Sequence, residues 1–388
     1  MQYIHRVIES VINKSVKSFK VLFLGGPRQV GKTTVLKRLS QDQHTSYISL
    51  DDINVRDLAQ HDPPLFLQQL KTPAIIDEVQ YAPQLFPYIK KIVDTSNQPG
   101  QYLLTGSQQF SVIKGIQESL AGRVAVLSLL GLSRREKKLK DSPNINALFT
   151  EIFTGGYPVF TKQPDLDRDI YFNSYIQTYL DRDLSDIFGI HKMSEFNRFI
   201  QVCAARTGQV LNISDMARDC GISSTTAVEW LRILESTMQI YLLQPYYPNI
   251  TKRIIKSPKL YFLDTGLATY LTKWSTSENA QSGSMAGALF ETYVVSEYVK
   301  YFINRGKQPS IYYMRDKEGH EVDLVVEENG LHLIEVKLTA SVHPDHSKNL
   351  DYFAMKSQAF LSKSIVSVID APMTVQHGVR YIPYTSIP

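Results

Sequence analysis

Between Phe19 and Ser128 short apolar runs alternate with amphipathic stretches, in the order VLFLGG, VLKRLSQ, YISLDD, AIIDEV and QYLLTGS. An apolar run that stops at Gly, Asp or Ser reads as a buried strand and the stretches between as helices, so this order predicts a parallel sheet with crossover helices. Residues 131–200 carry longer helical patterns, among them IYFNSYIQTYLDRDLSDIF, which predict a helical lid or connector. A third region spans Phe196 to Leu271. The stretch STSENAQSGS, Ser275 to Ser284, is poor in apolar residues and rich in Ser, Asn and Gly, and predicts a linker. From Met285 to Pro388 a helix is followed by strands. The fold class is α/β, with expected domains at 1–130, 131–195, 196–275 and 285–388; a chain of 388 residues exceeds what a single hydrophobic core usually supports.

Composition narrows this picture mainly by exclusion. Hydrophobic residues make up 43% and charged residues 21%, with no low-complexity tract, as in ordinary globular proteins. The longest apolar stretch, Val124 to Leu132, is nine residues and includes Ser128 and Gly131, whereas a membrane span needs about 20. The opening MQYIHRVIESVINKSVKSFK has no apolar core of a secretory signal, so a cytosolic (cytoplasmic) protein without membrane partners is expected. Two cysteines, Cys203 and Cys220, make neither a disulfide framework nor a zinc site and read as small core residues. A net charge of +4 argues for a nucleic-acid partner only if it is concentrated on one surface.

Candidate chemistry begins with Gly26-Pro27-Arg28-Gln29-Val30-Gly31-Lys32-Thr33, followed by Thr34, between the strand-like VLFLG and the helical VLKRLS. Glycines at these places let backbone N–H groups turn toward phosphates at a helix N-terminus. Lys32 then reaches the β- and γ-phosphates, and Thr33 ligates magnesium. The expected cofactors are ATP and Mg2+. About 45 residues after the loop, Ala74-Ile75-Ile76-Asp77-Glu78 is an apolar strand ending in two carboxylates; Asp77 would hold the magnesium shell and Glu78 would polarise the attacking water. Leu103-Leu104-Thr105-Gly106-Ser107 is the next strand with a polar tip, where Thr105 or Ser107 could sense the γ-phosphate.

These stretches, together with SLAGRV, TYLDRDLSDI, SPKLYFLDTGLA and the terminal RDKEGHEVDLVVE with IEVK, resemble an AAA-type P-loop ATPase of the bacterial and archaeal group whose carboxy-terminal half was long filed as a domain of unknown function. The resemblance extends across nearly the whole chain. It implies an arginine supplied by a neighbouring subunit, for which Arg123 stands at the matching position, and hence a homo-oligomer such as a hexameric ring. A salt bridge within the subunit is the equally weighted alternative for Arg123.

Ile213 to Ser223 reads as a capped short helix, a glycine turn at Gly221 and a second cap at Ser223. The next helix, Ser224 to Glu235, has Val228, Leu231 and Leu234 at core spacing and Thr225, Thr226, Glu229 and Arg232 outward, so the pair resembles a helix-turn-helix. A basic hairpin from Asn249 to Lys259 follows, completing a winged-helix pattern. Lys252, Arg253 and Lys256 suit contact with DNA phosphates without base specificity, while docking between subunits is the alternative. Asp264 is expected to cap the next helix.

The terminal region places Glu291 in a helix, Asp323 in an apolar strand, and Glu335 and Lys337 two apart in the next strand. This order resembles the PD-(D/E)xK nuclease group, whose acids bind magnesium and whose lysine positions or activates water. Glu335 and Lys337 share a strand face by alternation. Asp323 joins them only if the hairpin loop has three residues, Glu328-Asn329-Gly330, with Gly330 left-handed; a two-residue loop would set Asp323 opposite Val336. His320 and His332 have no metal-ligand spacing. The expected function is an ATP-hydrolysing, DNA-processing protein with a metal-dependent cleavage site, and the resemblance implies branched or broken DNA as its substrate. Two rivals stand beside it: a DNA-remodelling or branch-migration ATPase with a non-cleaving nuclease fold, and a regulatory ATPase switch whose terminal modules dock proteins.

Overall fold

The computed structural model describes residues 3–41, 44–106, 110–139, 143–181, 192–247, 257–356 and 359–388. The chain forms two compact units: Met1–Leu132 with Ser236–Met238 and Ile303–Lys307, and Ser133–Glu235 with Gln239–Phe302 and Gln308–Pro388.

In the first unit β1 (Val21–Gly25), β2 (Ser46–Ser49), β3 (Ala74–Asp77), β4 (Tyr102–Thr105) and β5 (Val124–Ser128) form a parallel sheet in the order β2-β3-β4-β1-β5. β1 is buried along its whole length, as an uninterrupted apolar run in a sheet covered on both faces requires. Phe23, Ile76 and Leu104 pack in one core with Phe86, Ile89 and Val93 of a helix at Leu85–Thr95. Each such side chain contributes about 1.5–3 kcal/mol by burial. The strand order sets β4 between β1 and β3, so Gly25, Thr105 and Asp77 end side by side. After β1 the loop turns into α1 (Lys32–Leu39). Gly26 stands at φ 140°, and a Cβ there would meet the Leu129 carbonyl oxygen at 2.1 Å, which only glycine avoids.

In the second unit the long helical patterns expected over residues 131–200 are broken into short helices, Ile145–Thr154, Pro158–Lys162 and Arg168–Tyr175, with a π-helical turn at Ile176–Asp181. Gly155 ends the first, and Pro158, which suits a first helical turn, opens the second. Residues 182–191, within the same pattern, lie outside the described residues.

Then come α2 (Met193–Ala205), β6 (Gln209–Val210), α3 (Ile213–Cys220), α4 (Ser224–Ser236), β7 (Ile240–Leu243) and β8 (Lys259–Phe262), the strands pairing antiparallel as β6-β8-β7. Gly221 ends α3 at φ 70°, and Ser223 Oγ accepts the Thr226 amide at 3.0 Å. Of the expected core positions of α4, Leu231 and Leu234 are buried and Val228 is half-buried; Ala227 and Trp230 complete the buried face, Trp230 lying edge-on to Phe196 and Phe199. Cys203 and Cys220 are both buried. α5 (Thr265–Leu271) follows β8, capped by Asp264, which accepts the Leu267 amide at 2.9 Å.

The expected linker is instead a capped helix, Ser277–Ser282, with Thr276 accepting the Asn279 amide and Ala280 fully buried. A single apolar residue among polar ones suffices to seat so short a helix. α6 (Ala286–Ile303) leads to β9 (Ile311–Arg315), β10 (Glu321–Glu327), β11 (Leu331–Val336), β12 (Phe360–Ser367), β13 (Met373–Thr374) and β14 (Val379–Pro383), ordered β13-β14-β12-β11-β10-β9. β10 and β11 pair Leu324 with Ile334 and Glu327 with Leu331, which leaves a three-residue loop. The left-handed turn is shared there: Asn329 at φ 53° and Gly330 at φ 135°. Among the described residues no helix is long and apolar enough to cross a membrane.

Candidate functional site

At the C-terminal edge of the first unit's sheet, Asp77 collects hydroxyl groups. Thr33, in the first turn of α1, donates to both carboxylate oxygens at 2.9 Å; Tyr47 of β2 donates to Oδ2 at 3.0 Å; Thr105 of β4 donates to Oδ1. Asp77 is only 6% exposed. Burial and the neighbouring Asp77 push the Tyr47 hydroxyl up to about 12, so it is a donor at neutral pH. Lys32 curls over the loop, its ammonium donating to the Gly26 and Pro27 carbonyls at 3.0 and 2.8 Å. Burial draws this lysine below the usual range, against the opposing pull of Glu78 and Asp77.

Gln29 and Gly31 hold positive φ angles of 63° and 95°, and the Val30 carbonyl accepts from Arg6 at 2.9 Å. Arg6 also donates to the Leu130 carbonyl at 2.7 Å, so a buried guanidinium braces the phosphate loop from behind. Arg28 donates to the Tyr81 hydroxyl at 3.2 Å, and Thr34 is exposed on α1. Glu78 sits at φ 56° just past β3 and accepts from Gln80. Neither Arg6 nor Tyr47 carries a motif in the sequence; Tyr47 shows only as an aromatic in the strand before Asp51. Ser107 lies outside the described residues.

Arg123 lies at the opposite, N-terminal edge of the sheet, where its carbonyl accepts the Val21 amide at 3.1 Å. Its guanidinium grips Asp94 through Nε at 2.5 Å and Nη2 at 3.0 Å. The structure therefore brings Lys32, Thr33, Asp77, Glu78 and Thr105 to one edge and Arg123 to the other.

A second cluster forms in the other unit. α6 carries Glu291, β10 carries Glu321 and Asp323, and β11 carries Glu335, with Lys337 directly after the strand. The hairpin register sets Asp323 beside Glu335, and Asp323 Oδ2 accepts the Val336 amide at 2.8 Å. Lys337 Nζ lies 2.6 Å from Glu335 Oε1. The other Glu335 oxygen is buried and has no hydrogen-bond partner among the described residues. From β8, Lys259 reaches Glu291 at 3.0 Å, Glu321 at 2.5 Å and Asp323 at 4.0 Å, and Tyr261 donates to Glu291.

Electrostatics follow from this crowding. Burial and then Asp323 push Glu291 up to about 7 and Glu335 up to about 8. For Lys259 burial acts downward, yet Glu291, Asp323 and Glu321 together hold the ammonium above the usual lysine range. Among the described residues, four carboxylates thus share two lysines, with Arg315 at the margin 3.5 Å from Glu321. Carboxylate oxygens converging from a helix and two strands are the ligand set that a hard divalent cation takes.

Lys259, Tyr261 and Glu321 were not among the expected site residues. Lys259 reads in the sequence as the end of a basic hairpin, and the one signal that could have found it is the Lys259, Tyr261 alternation on a strand face. Lys252, Arg253 and Lys256 lie outside the described residues. His332 bonds Ser362 at 2.7 Å, and His320 stacks on Tyr352 with centroids 3.8 Å apart.

Residues 18–137 match the AAA domain family, residues 145–278 a domain of unknown function (DUF8612), and residues 286–387 another domain of unknown function (DUF4143). The uncharacterized proteins Rv2008c of Mycobacterium tuberculosis and Mb2031c of Mycobacterium bovis are each 30% identical over 321 residues, spanning 82% of this chain and 70% of theirs. Among solved structures, a Walker-type ATPase of Pyrococcus abyssi aligns at 14% identity and a TM-score of 0.44, covering 68% of this chain and 94% of that one. The RuvB Holliday junction branch migration motor of Thermotoga maritima aligns at 14% identity and a TM-score of 0.32, covering 61% and 88%. The first unit is an AAA-type ATPase domain.

Proposed function

We propose that this chain, which belongs to the family of the mycobacterial proteins Rv2008c and Mb2031c, couples its ATPase to the processing of DNA through the acidic cluster of its second unit. The observation that carries the reading is the cluster of Glu291, Asp323, Glu335 and Lys337, in which Asp323 and Glu335 are buried and one Glu335 oxygen has no partner among the described residues. Carboxylates from two adjacent strands and a helix, with a lysine on the next step of the same face, suit phosphodiester chemistry better than a solvated salt-bridge surface.

In the ATPase half, Thr33 and Asp77 would hold magnesium, and the hydroxyl and carboxylate donors fit that ion. Magnesium, when bound with ATP, supplies charge neutralisation at the β- and γ-phosphates. Lys32 positions the same phosphates, Glu78 orients the attacking water, and Thr105 and Tyr47 keep the Asp77 carboxylate in one orientation. In the second unit Asp323 and Glu335 would hold a divalent cation, which supplies an activated water when bound. Lys337 would hold that water or the scissile phosphate. The helices α3 and α4 with the sheet β6-β8-β7 support a winged helix, and Lys252, Arg253 and Lys256 are its proposed phosphate contacts.

One observation favours a second reading, DNA binding without cleavage: Lys259 already neutralises part of the acid group. A cleavage assay decides between them. Wild-type protein with Mg2+ or Mn2+ is expected to cut linear or branched DNA, and Asp323→Asn or Lys337→Ala to abolish cutting while ATP turnover stays intact. DNA binding with no cutting by any metal, with or without ATP, would establish the second reading. Lys32→Ala is expected to abolish ATP turnover; near-normal hydrolysis would reject the phosphate site.

A further inference from the structure

Lys259 belongs to neither expected group of site residues, yet it is 3% exposed at its side chain and lies within 4.0 Å of three carboxylates from two different elements. Its ammonium touches Glu291 and Glu321 and stands 4.0 Å from Asp323. Tyr261, two residues along the same face of β8, donates to Glu291 from beside it. The remaining acid, Glu335, is paired with Lys337 through one oxygen only, and its other oxygen is buried without a partner among the described residues.

The acid group therefore has two halves. One, around Glu291 and Glu321, is satisfied by an ammonium delivered from β8. The other, between Asp323 and Glu335, retains carboxylate oxygen free to take a ligand. We infer that Lys259 is the resident cation of this site: it occupies a position that a divalent ion takes once the ammonium is removed, so that the native chain works with at most a single divalent ion beside a lysine. The inference rests on reading the cluster as a cation site. It assigns to β8, a strand of the central module, a component of the terminal domain's chemistry.

The physical argument is one of charge and space. A lone lysine so deeply buried is stable only where carboxylates surround it. Removing it leaves Glu291 and Glu321 facing each other across its place, near Asp323, with oxygen ligands and negative charge in excess. Hard divalent cations are bound by such oxygen sets. A methionine at position 259 keeps the stem's volume and removes the charge.

The test is to count Mn2+ bound by nucleotide-free, full-length protein, by electron paramagnetic resonance and calorimetry, for wild type, Lys259→Met and Asp323→Asn. Lys259→Met is expected to bind one more ion than wild type. Equal numbers in the two proteins would overturn the proposal. The wild-type count separates this inference from the function it rests on. An ion bound by wild type and lost in Asp323→Asn supports the metal-dependent reading. A wild type that binds none, beside a Lys259→Met protein that binds one, rejects that reading and still supports the role of Lys259. If Lys259→Met needs a cation in order to fold, it recovers in Mn2+ and not in Na+ of equal ionic strength; recovery in neither overturns the proposal.

Discussion

Asp77 shows how one carboxylate is held for use. Three hydroxyls from α1, β2 and β4 converge on it and fix the orientation of both its oxygens. Tyr47→Phe removes one of these donors without changing the ring. A hydrogen bond to a charged group contributes about 1.5–3 kcal/mol when made, and half-exposure of Tyr47 puts the effect at the lower end. ATP turnover is expected to fall about tenfold with ATP binding largely retained, as steady-state kinetics and nucleotide titration would register; unchanged turnover would remove Tyr47 from the site. Gly26→Ala tests the loop itself. Its Cβ would overlap the Leu129 carbonyl, and φ 140° is strained for any L side chain. A lowered melting temperature and loss of ATP binding are expected together. That Lys32, Thr33 and Asp77 come together was legible because a phosphate loop is a contiguous motif whose context is strand, loop and helix. Tyr47 and Arg6 were not, because their partners lie 30 and 24 residues away and only the packed sheet selects them.

At the scale of elements, turns and caps carry most of the information that sequence can convey. The β10–β11 register follows from a loop of Glu328, Asn329 and Gly330, and it decides on which face Asp323 stands. The LDTGLA stretch shows the same locality. Asp264 caps α5 and also accepts the Gly156 amide at 2.7 Å, while Gly155 and Gly266 lie so close that a Cβ on either would collide with backbone. Asp264→Ala is expected to cost about 1–2 kcal/mol for the cap, with a further loss for the stranded Gly156 amide. Asp264→Asn, which keeps an acceptor oxygen, is expected to recover most of the cap. Denaturant unfolding measures both. Where sequence and structure part, the difference is local: Trp230 joins Leu231 and Leu234 in the core while Val228 is half-buried, and the apparent linker is a short helix capped by Thr276.

For the molecule as a whole, the open matter is whether Arg123 serves its own subunit or a neighbour. It is paired with Asp94 at the sheet edge away from the phosphate loop. Asp94→Ala separates the roles: if Arg123 only anchors the edge, losing either partner lowers stability alike and leaves ATP turnover similar; if it acts across an interface, Arg123→Ala abolishes turnover and Asp94→Ala does not. Mixing Arg123→Ala with Lys32→Ala protein is then expected to restore part of the activity in mixed oligomers, and no recovery would assign the arginine to one subunit. Sequence by itself determined the alternation of strands and helices, the phosphate loop with its second carboxylate and the helix caps, and it narrowed the hairpin to two registers between which the packed sheet chose. Each of these depends on periodicity, turn chemistry or capping within a few residues, where local sterics and hydrogen bonding decide the outcome. Tertiary structure alone decided that Lys259 sits among the acids, that Tyr47 and Thr105 share Asp77, and that Arg123 grips Asp94. Those pairings join residues distant along the chain, and the pairing of a buried charge is set by which elements exclude water around it, a property of the packed molecule that no local pattern of residues contains.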